Sequence, residues 1–510
     1  MLVALSAATL LFRFWLAAVL PMTGDEAYFY YWGWQPDWGF YDHPPMVGWW
    51  LATLLTVSDS EWWLRLPSVL QPVLLAAAVA FALPRLWPEV SPQRRDAITA
   101  LILLAPINVW NVLITTDTPL VFFSVLSGLA WLRAAQERDG DDLRWYLLAG
   151  LFLAGAVLSK YFVALLGFAY LLDTLRRRSL RAWAGLIVCY VCCVPALGLM
   201  AWWNAGNCWP NFMFNFVNRH QGSIGWSLRT PLLYAVTVAY ALTPPVIWLA
   251  LRREPGPVRA ASADFSMPLR SLAMLAGVPF VLFALLSGPK QIGLHWLLSF
   301  IPFVMIWVGL RASEGALRKL LKFLLGFAVL HAVVFVTLSL LPLETWNRLK
   351  AYDGIVLTVE RQAMKEALAA DLADADKRWT LAMDGYSNAV TLGYNLRRYV
   401  IVFGEGSSHA RHDDILTDFR ALDGGNILIV RKREPEPAFY QPYFANSAVD
   451  SFEIRGVRFW RIRGEGFRYV QYRDQVLSKI RNNYYRIPSL LPQCACYFCD
   501  RYFPGEACVK

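Results

Sequence analysis

The chain has 510 residues, 57% of them hydrophobic and 17% charged, with a formal net charge of +10 and a mean hydropathy of +0.37. Soluble domains run about 25% charged and 45–50% apolar. This composition therefore excludes a cytosolic globular enzyme, a disordered chain and a small disulfide scaffold, and points to a protein that meets lipid along much of its length. In chain order, apolar runs predict spans near 2–21, 62–87, 97–114, 118–136, 144–158, 161–174, 181–203, 230–251, 271–287, 293–310 and 320–342. That is about eleven, with a range of 10–13, at roughly 20 residues per crossing. The first run has no basic start and no small-residue cleavage site after it, so it reads as an anchor. The pair at 144–174 is the shortest, and one tilted span there would invert every later loop.

Lys and Arg collect on the cytoplasmic side of membrane proteins. With the N-terminus cytoplasmic, the inner loops hold eighteen, including Arg85, Arg94, Arg95, Arg133, Arg144 and Arg176–Arg178; the outer loops hold Lys160, Arg219, Arg229 and Lys290. This asymmetry supports splitting 144–174 in two. It also makes the basic excess a topological signature, so no nucleic-acid partner is expected. Residues 1–343 then form a polytopic α-helical membrane domain. Residues 344–510 read as a mixed α/β domain, from the runs "RWTLAMDG", "RRYVIVFGEG", "GNILIVRK" and "FEIRGVRFWRIRG" with helices at 385–396 and 412–422. An odd number of spans places this domain outside the cytoplasm. Its last stretch, 455–510, carries 11 basic and 4 acidic residues, which suits a membrane surface or a phosphorylated lipid as well as an ordinary solvated surface.

The outer side collects the chemistry. The loop "PMTGDEAYFYYWGWQPDWGFYDHPPMVGWW" (21–50) holds Asp25, Glu26, Asp37 and Asp42, no Lys or Arg, and a dense set of rings including Tyr28 and Tyr41. Interfacial Trp and Tyr account for part of it. They do not account for Asp25 and Glu26 directly after a span, where ionisable groups are costly and often functional. A carboxylate at a lipid-edge cavity can act as a general base, and rings beside it suit stacking on a sugar. The bland alternative is a hydrated loop acid. A second carboxylate, Asp117, stands in "TTDTPL", where helix capping is the structural alternative; two outer carboxylates could also share a divalent cation. Few cations face outward, and most lie beside a span: Lys160, Arg219, His220, Lys290 and His295. As a set they suit a phosphate-bearing substrate, while snorkelling to headgroups is the alternative for each one. Arg13 and His331 lie within spans, where packing or snorkelling is the simpler account.

The tail "CACYFCDRYFPGEAC" carries Cys494, Cys496, Cys499 and Cys508. Outside the cytoplasm they predict two disulfides in one of three pairings, with a structural zinc site as runner-up. No P-loop, dinucleotide fingerprint, GxSxG elbow or HExxH motif occurs.

An acidic pair after the first span, an outer "DHPP", a later "TDTPL" and a cationic outer rim together resemble the GT-C membrane glycosyltransferases. Within them the likeness is to the branch of the protein O-mannosyltransferase-like enzymes and the bacterial aminoarabinose lipid A transferases. It is clearest over 21–165 and weaker through "GPKQIGLHW" to "HDDILTDFRALDGGNILIV". The resemblance implies a catalytic outer loop at 22–61 and inverting transfer from a polyprenyl-phosphate sugar to an acceptor at the outer face of a bacterial inner membrane. The acceptor would be a lipid A or lipopolysaccharide-type glycolipid, or a protein hydroxyl. The implied catalytic residues are Asp25 as base, Glu26 and Asp117. His43, Lys160, Arg219, Lys290 and His295 would hold the donor phosphate; Tyr28, Tyr41, Asp42 and His220 would hold acceptor or sugar. No cofactor is required, because side chains can neutralise the leaving phosphate; a divalent cation remains compatible. One departure stands out. The aminoarabinose transferases carry a lysine-containing "EKP" where this chain has Asp42–His43–Pro44, and a histidine is not permanently charged. A lipid-linked sugar flippase is the rival reading, but it predicts paired halves and mid-membrane charges, whereas the ionisable residues here gather at one face.

Overall fold

A computed structural model describes residues 1–136, 142–218, 227–252, 263–373, 378–406, 411–492 and 495–505. The chain divides into two compact units. The first comprises Met1–Leu20, Val57–Leu199 and Ser223–Leu340; the second comprises Pro21–Thr56, Met200–Gly222 and Leu341–Lys510.

The first unit is helical. Five helices are long and apolar enough to cross a membrane: Leu2–Val19, Glu61–Leu86, Leu180–Gly206, Met267–Leu286 and Glu314–Leu340. Arg229–Leu242 and Pro244–Leu251 make a sixth if taken together, although they bend by 93° at Thr243, whose φ is +67°. The other apolar runs form shorter or interrupted helices: Pro92–Leu103 followed by Pro106–Trp110, Asp117–Ala134, Asp142–Val157, Ala164–Arg177 and Ile301–Arg311. Five or six helices pass by length and composition alone, and the shorter helices account for the other predicted runs. Apolar runs of this kind differ in what they face, lipid or protein. Asp117–Ala134 is buried over most of its length, whereas only 6% of the apolar window of Glu314–Leu340 is buried. The 144–174 run does form two helices, separated by a single 3-10 turn at Tyr161–Val163. Arg13 does not snorkel. It is 1% exposed, and its guanidinium donates to the carbonyls of Ser68, Val69 and Asn111; Ser68 lies four residues before Pro72, which has no N–H to offer it, and Asn111 follows the end of the helix Pro106–Trp110.

The second unit is built on a five-stranded mixed sheet: β1 Trp379–Met383, β2 Ile401–Val402, β3 Asn426–Arg431, β4 Phe444–Ile454 and β5 Val457–Phe467. Its order is β2-β1-β3-β5-β4. β1 runs parallel to β2 and β3, with Leu381 opposite Leu428; β5 is antiparallel to β3 and β4. The last predicted run is the tip of the β4–β5 hairpin. Arg455 and Gly456 form its two-residue turn at φ +50° and +76°, the left-handed pair that matches strand twist. β3 is buried on both faces. Ile427 and Ile429 join a core with Phe403, Phe419 and Phe467, while Leu428 and Val430 join another with Val356, Met364 and Leu392. A strand covered on both faces reads as a continuous apolar run. The aromatic segment 21–56 belongs to this unit and supplies two helices, Gly24–Trp34 and Met46–Leu55. The first lies against the helix Tyr386–Leu396 at Gly393; a Cβ there would collide with the Tyr31 hydroxyl, which donates to the Arg398 carbonyl.

Candidate active site

In the second unit, the pattern Thr23-Gly-Asp-Glu26 starts a helix by reciprocal capping. The Thr23 N–H and hydroxyl both donate to Glu26 Oε2, at 3.0 and 3.1 Å, and the Glu26 N–H donates back to Thr23 Oγ1 at 3.3 Å. Glu26 is 1% exposed. This geometry gives Glu26 a structural role in the helix start. Asp25, one residue earlier, is open to solvent. Its carboxyl is pushed up from the ordinary value, first by partial desolvation, then by the charges of Asp42 and Glu26, with His43 opposing.

Asp42 anchors the loop that follows. It is 8% exposed and accepts a hydrogen bond from the Tyr28 hydroxyl at 3.1 Å. His43 Nδ1 lies 3.0 Å from its other oxygen, at ion-pair distance but off the line of a hydrogen bond. Burial alone would raise this carboxyl. His43, the Tyr28 hydroxyl and His412 outweigh it, and the net shift is downward. The backbone of the loop is held from a second segment: Asn211 Nδ2 donates to the carbonyls of Phe40 and Tyr41, and Asn215 Nδ2 to that of Asp42.

Beneath the loop lies His412. Its ring centroid is 5.2 Å from Phe40 and 6.3 Å from Trp32, and its Nδ1 accepts the Tyr41 N–H at 3.4 Å. Burial lowers its pKa to about 4, with Asp42 and Asp37 opposing, so the ring is neutral. Tyr386 stands edge-on to Tyr28 at 5.6 Å. Its hydroxyl is pushed up to about 12, by burial first and then by Asp25 and Asp42. Of the rings predicted to hold acceptor or sugar, Tyr41 is 1% exposed within the core and Tyr28 5%, and the Tyr28 hydroxyl donates to Asp42.

In the first unit, Asp117 is the first residue of its helix, but its side chain does not cap it. Both carboxylate oxygens accept from Lys160 Nζ at 2.9 Å, and both residues are buried. Lys160 lies in extended backbone just before the 3-10 turn. Its ammonium is 5.6 Å from the centre of Phe162, whose ring lies 4.1 Å from that of Trp296. Lys290 approaches the same Trp296 ring at 5.7 Å, and His295 lies beside it. Four predicted residues, Asp117, Lys160, Lys290 and His295, thus gather around one aromatic pair. Such rings attract cations through their negative faces. Arg219 and His220 lie outside the described residues.

The cysteines depart from the predicted pairing. Cys496 bonds to Cys208, which is not in the tail, and Cys499 is also disulfide-bonded; Cys494 and Cys508 lie outside the described residues. Sulfurs held in disulfides are not thiolate ligands, which sets aside zinc at Cys496 and Cys499. Among the described residues, no group of three or more His, Cys, Asp or Glu side chains is arranged to hold a metal ion.

Residues 42–203 match the family model of dolichyl-phosphate-mannose-protein mannosyltransferases. The chain is 27% identical over 234 residues to the lipid A galacturonosyltransferase RgtD of Rhizobium johnstonii, across 44% of this chain and 47% of that protein. The match thus spans about half the length of this curated relative. Crystal structures of ArnT from Cupriavidus metallidurans, in the apo state and bound to undecaprenyl phosphate, each align with a TM-score of 0.61 at 18% identity, over 90% of this chain and 97% of that one. The fold is therefore the one ArnT has, and the chain is a multi-pass membrane protein. The resemblance to GT-C membrane glycosyltransferases read from the sequence is borne out by these comparisons.

Proposed function

We propose that this protein is an inverting glycosyltransferase that moves a sugar from a polyprenyl-phosphate donor to an acceptor hydroxyl, with a lipid A-type glycolipid as the favoured acceptor. The observation that carries the reading is Asp25: a solvent-open carboxyl beside two other acids and a ring-lined loop, with its proton affinity raised. A base is most effective when its pKa approaches the working pH. Asp25 takes the proton of the acceptor hydroxyl as that oxygen attacks the anomeric carbon. The bond from anomeric carbon to phosphate oxygen breaks, and polyprenyl phosphate leaves. Its charge needs cations or hydrogen-bond donors already in place. His43 is such a donor, and Lys290 and His295 are the further groups that the family resemblance implies for this role. Lys160 already has Asp117 as its partner, so the pair carries little net charge to offer a phosphate.

The relatives support the substrate classes: one is a lipid A galacturonosyltransferase, and another has been crystallised with undecaprenyl phosphate. We place the enzyme in a bacterial inner membrane with its N-terminus cytoplasmic and the second unit periplasmic. The skewed distribution of loop arginines supports this orientation, as do disulfides in the second unit, since such bonds persist in oxidising compartments. The test is a transfer assay in proteoliposomes, with a panel of radiolabelled undecaprenyl-phosphate sugars and lipid A as acceptor. Label is expected to move to lipid A with the wild type and not with Asp25→Asn at matched folding. Transfer that survives Asp25→Asn would remove the base assignment, and donor lipid crossing the bilayer without transfer would replace the enzyme by a flippase.

A further inference from the structure

The first unit holds a second feature far from Asp117. Between the helices Leu66–Leu86, Asp117–Ala134 and Asp142–Val157 lies a cleft of about 270 Å³. Its floor is apolar and buried, made by Leu86, Leu129 and Ala130. Its wall includes Phe81 and Trp145, and Phe81 is 61% exposed. Two guanidinium groups, Arg85 and Arg133, complete the lining. The site is at the far end of the helix Asp117–Ala134 from Asp117, about 24 Å away at 1.5 Å per residue.

The arginines are arranged to bind rather than merely to be hidden. The Arg85 guanidinium lies 3.6 Å over the Phe81 ring, and Arg133 lies 5.9 Å from the Trp145 ring. Stacking fixes a guanidinium plane and turns its N–H edge outward. Among the described residues, Arg85 donates one hydrogen bond, to the Phe81 carbonyl, and Arg133 one, to Gln136 Oε1; neither meets a carboxylate at ion-pair distance there. Gln136 in turn donates to the Leu86 carbonyl at 2.8 Å, which ties the Arg133 end of one helix to the end of another. Each guanidinium has five donors, so most remain available.

We infer that this cleft is a binding site for an anionic glycerophospholipid of the bilayer, with an acyl chain against Leu86, Leu129 and Ala130 and the phosphate on Arg85 and Arg133. The volume suits part of one acyl chain rather than a whole drug-sized molecule. Two cations that meet no carboxylate at ion-pair distance among the described residues select an anionic headgroup over a zwitterionic one, as basic pockets between membrane helices do. The inference does not depend on the transferase reading.

The test uses the full-length protein purified in a neutral detergent, exchanged extensively, and offered phosphatidylglycerol or phosphatidylcholine before native mass spectrometry. One phosphatidylglycerol per chain is expected to survive exchange, and phosphatidylcholine is not. Arg85→Gln with Arg133→Gln is expected to weaken retention about tenfold or more, since loss of charge-assisted hydrogen bonds is felt at that scale. Ala82→Phe, which fills the cleft from its half-buried wall, is expected to do the same with both charges intact. Circular dichroism and gel filtration confirm folding of each variant. Equal retention of phosphatidylcholine, or wild-type retention in the double arginine variant, would overturn the inference and leave an ordinary annular lipid. Retention unchanged by Ala82→Phe would overturn the acyl-chain placement.

Discussion

Asp25 and Asp117 make an instructive pair. Each lies in the first turn of a helix, where the dipole favours negative charge. In the first unit, both oxygens of Asp117 accept from one buried ammonium, which offsets its charge. In the second, Asp25 stays open to solvent, has acids rather than cations as its strongest charged neighbours, and holds its proton more tightly than usual. The same residue type in the first turn of a helix is thus ion-paired in one unit and a candidate base in the other. What separates them is the partner, not the local sequence.

The sharpest way to break this comparison is to neutralise each acid. Asp25→Asn is expected to lower transfer by about 10²–10⁴-fold, the range for a general base, with little change in thermal stability; an equal loss of stability would make Asp25 structural. Lys160→Met leaves the Asp117 charge buried and unpaired, which costs about 3–5 kcal/mol and is read as a lower midpoint of thermal unfolding. Lys160→Met combined with Asp117→Asn is expected to recover most of that loss. If the double variant stays as unstable as the single one, the ion pair is not what Asp117 is for. Thr23→Ala removes one half of the capping box and is expected to cost about 1 kcal/mol, with Glu26→Gln similar. A loss of transfer at Glu26→Gln matching Asp25→Asn would return Glu26 to the chemistry.

The smallest expected effect is on pH dependence. His412 has a folded pKa of about 4 against an ordinary 6.5, so between those values the unfolded chain binds more protons. The contribution of His412 to stability therefore rises with pH across this window; it is fully present above 6.5 and lost as pH falls to 4, while neighbouring Asp413, pushed up to about 8 by burial first, works in the opposite sense. His412→Gln is expected to flatten that rise in a series of unfolding curves. An unchanged slope would assign the dependence to other groups.

Much of this was legible in the sequence, and the gaps have physical causes. The β-rich runs and the helix at 385–396 are readable because strand and helix periods are local. The T-x-x-E box is equally local. His412 gives no local signal: "HDDIL" reads as a helix start, and its packing against Phe40 and Trp32 joins residues some 370 positions apart. The Cys208–Cys496 bond spans 288 positions, and no rule of spacing reaches that far. Asp117 as a cap was the local expectation; its lysine is 43 residues away. Buried and lipid-facing helices share one composition, so local hydropathy does not separate them.

The Thr23–Glu26 box has one more consequence, which concerns entropy. By locking the first helical turn, it leaves Asp25 with only the torsions of its own short side chain. The freedom a loop carboxylate would surrender on meeting its substrate has already been surrendered in folding. A base held in this way would not reach toward an acceptor; the hydroxyl would have to arrive along a path that suits a nearly stationary oxygen. A misplacement of about 1 Å in that kind of geometry can cost on the order of a hundredfold in rate. Choice among acceptors would then be made by direction of approach, and a longer acid at position 25 would be a different enzyme rather than a slightly weaker one.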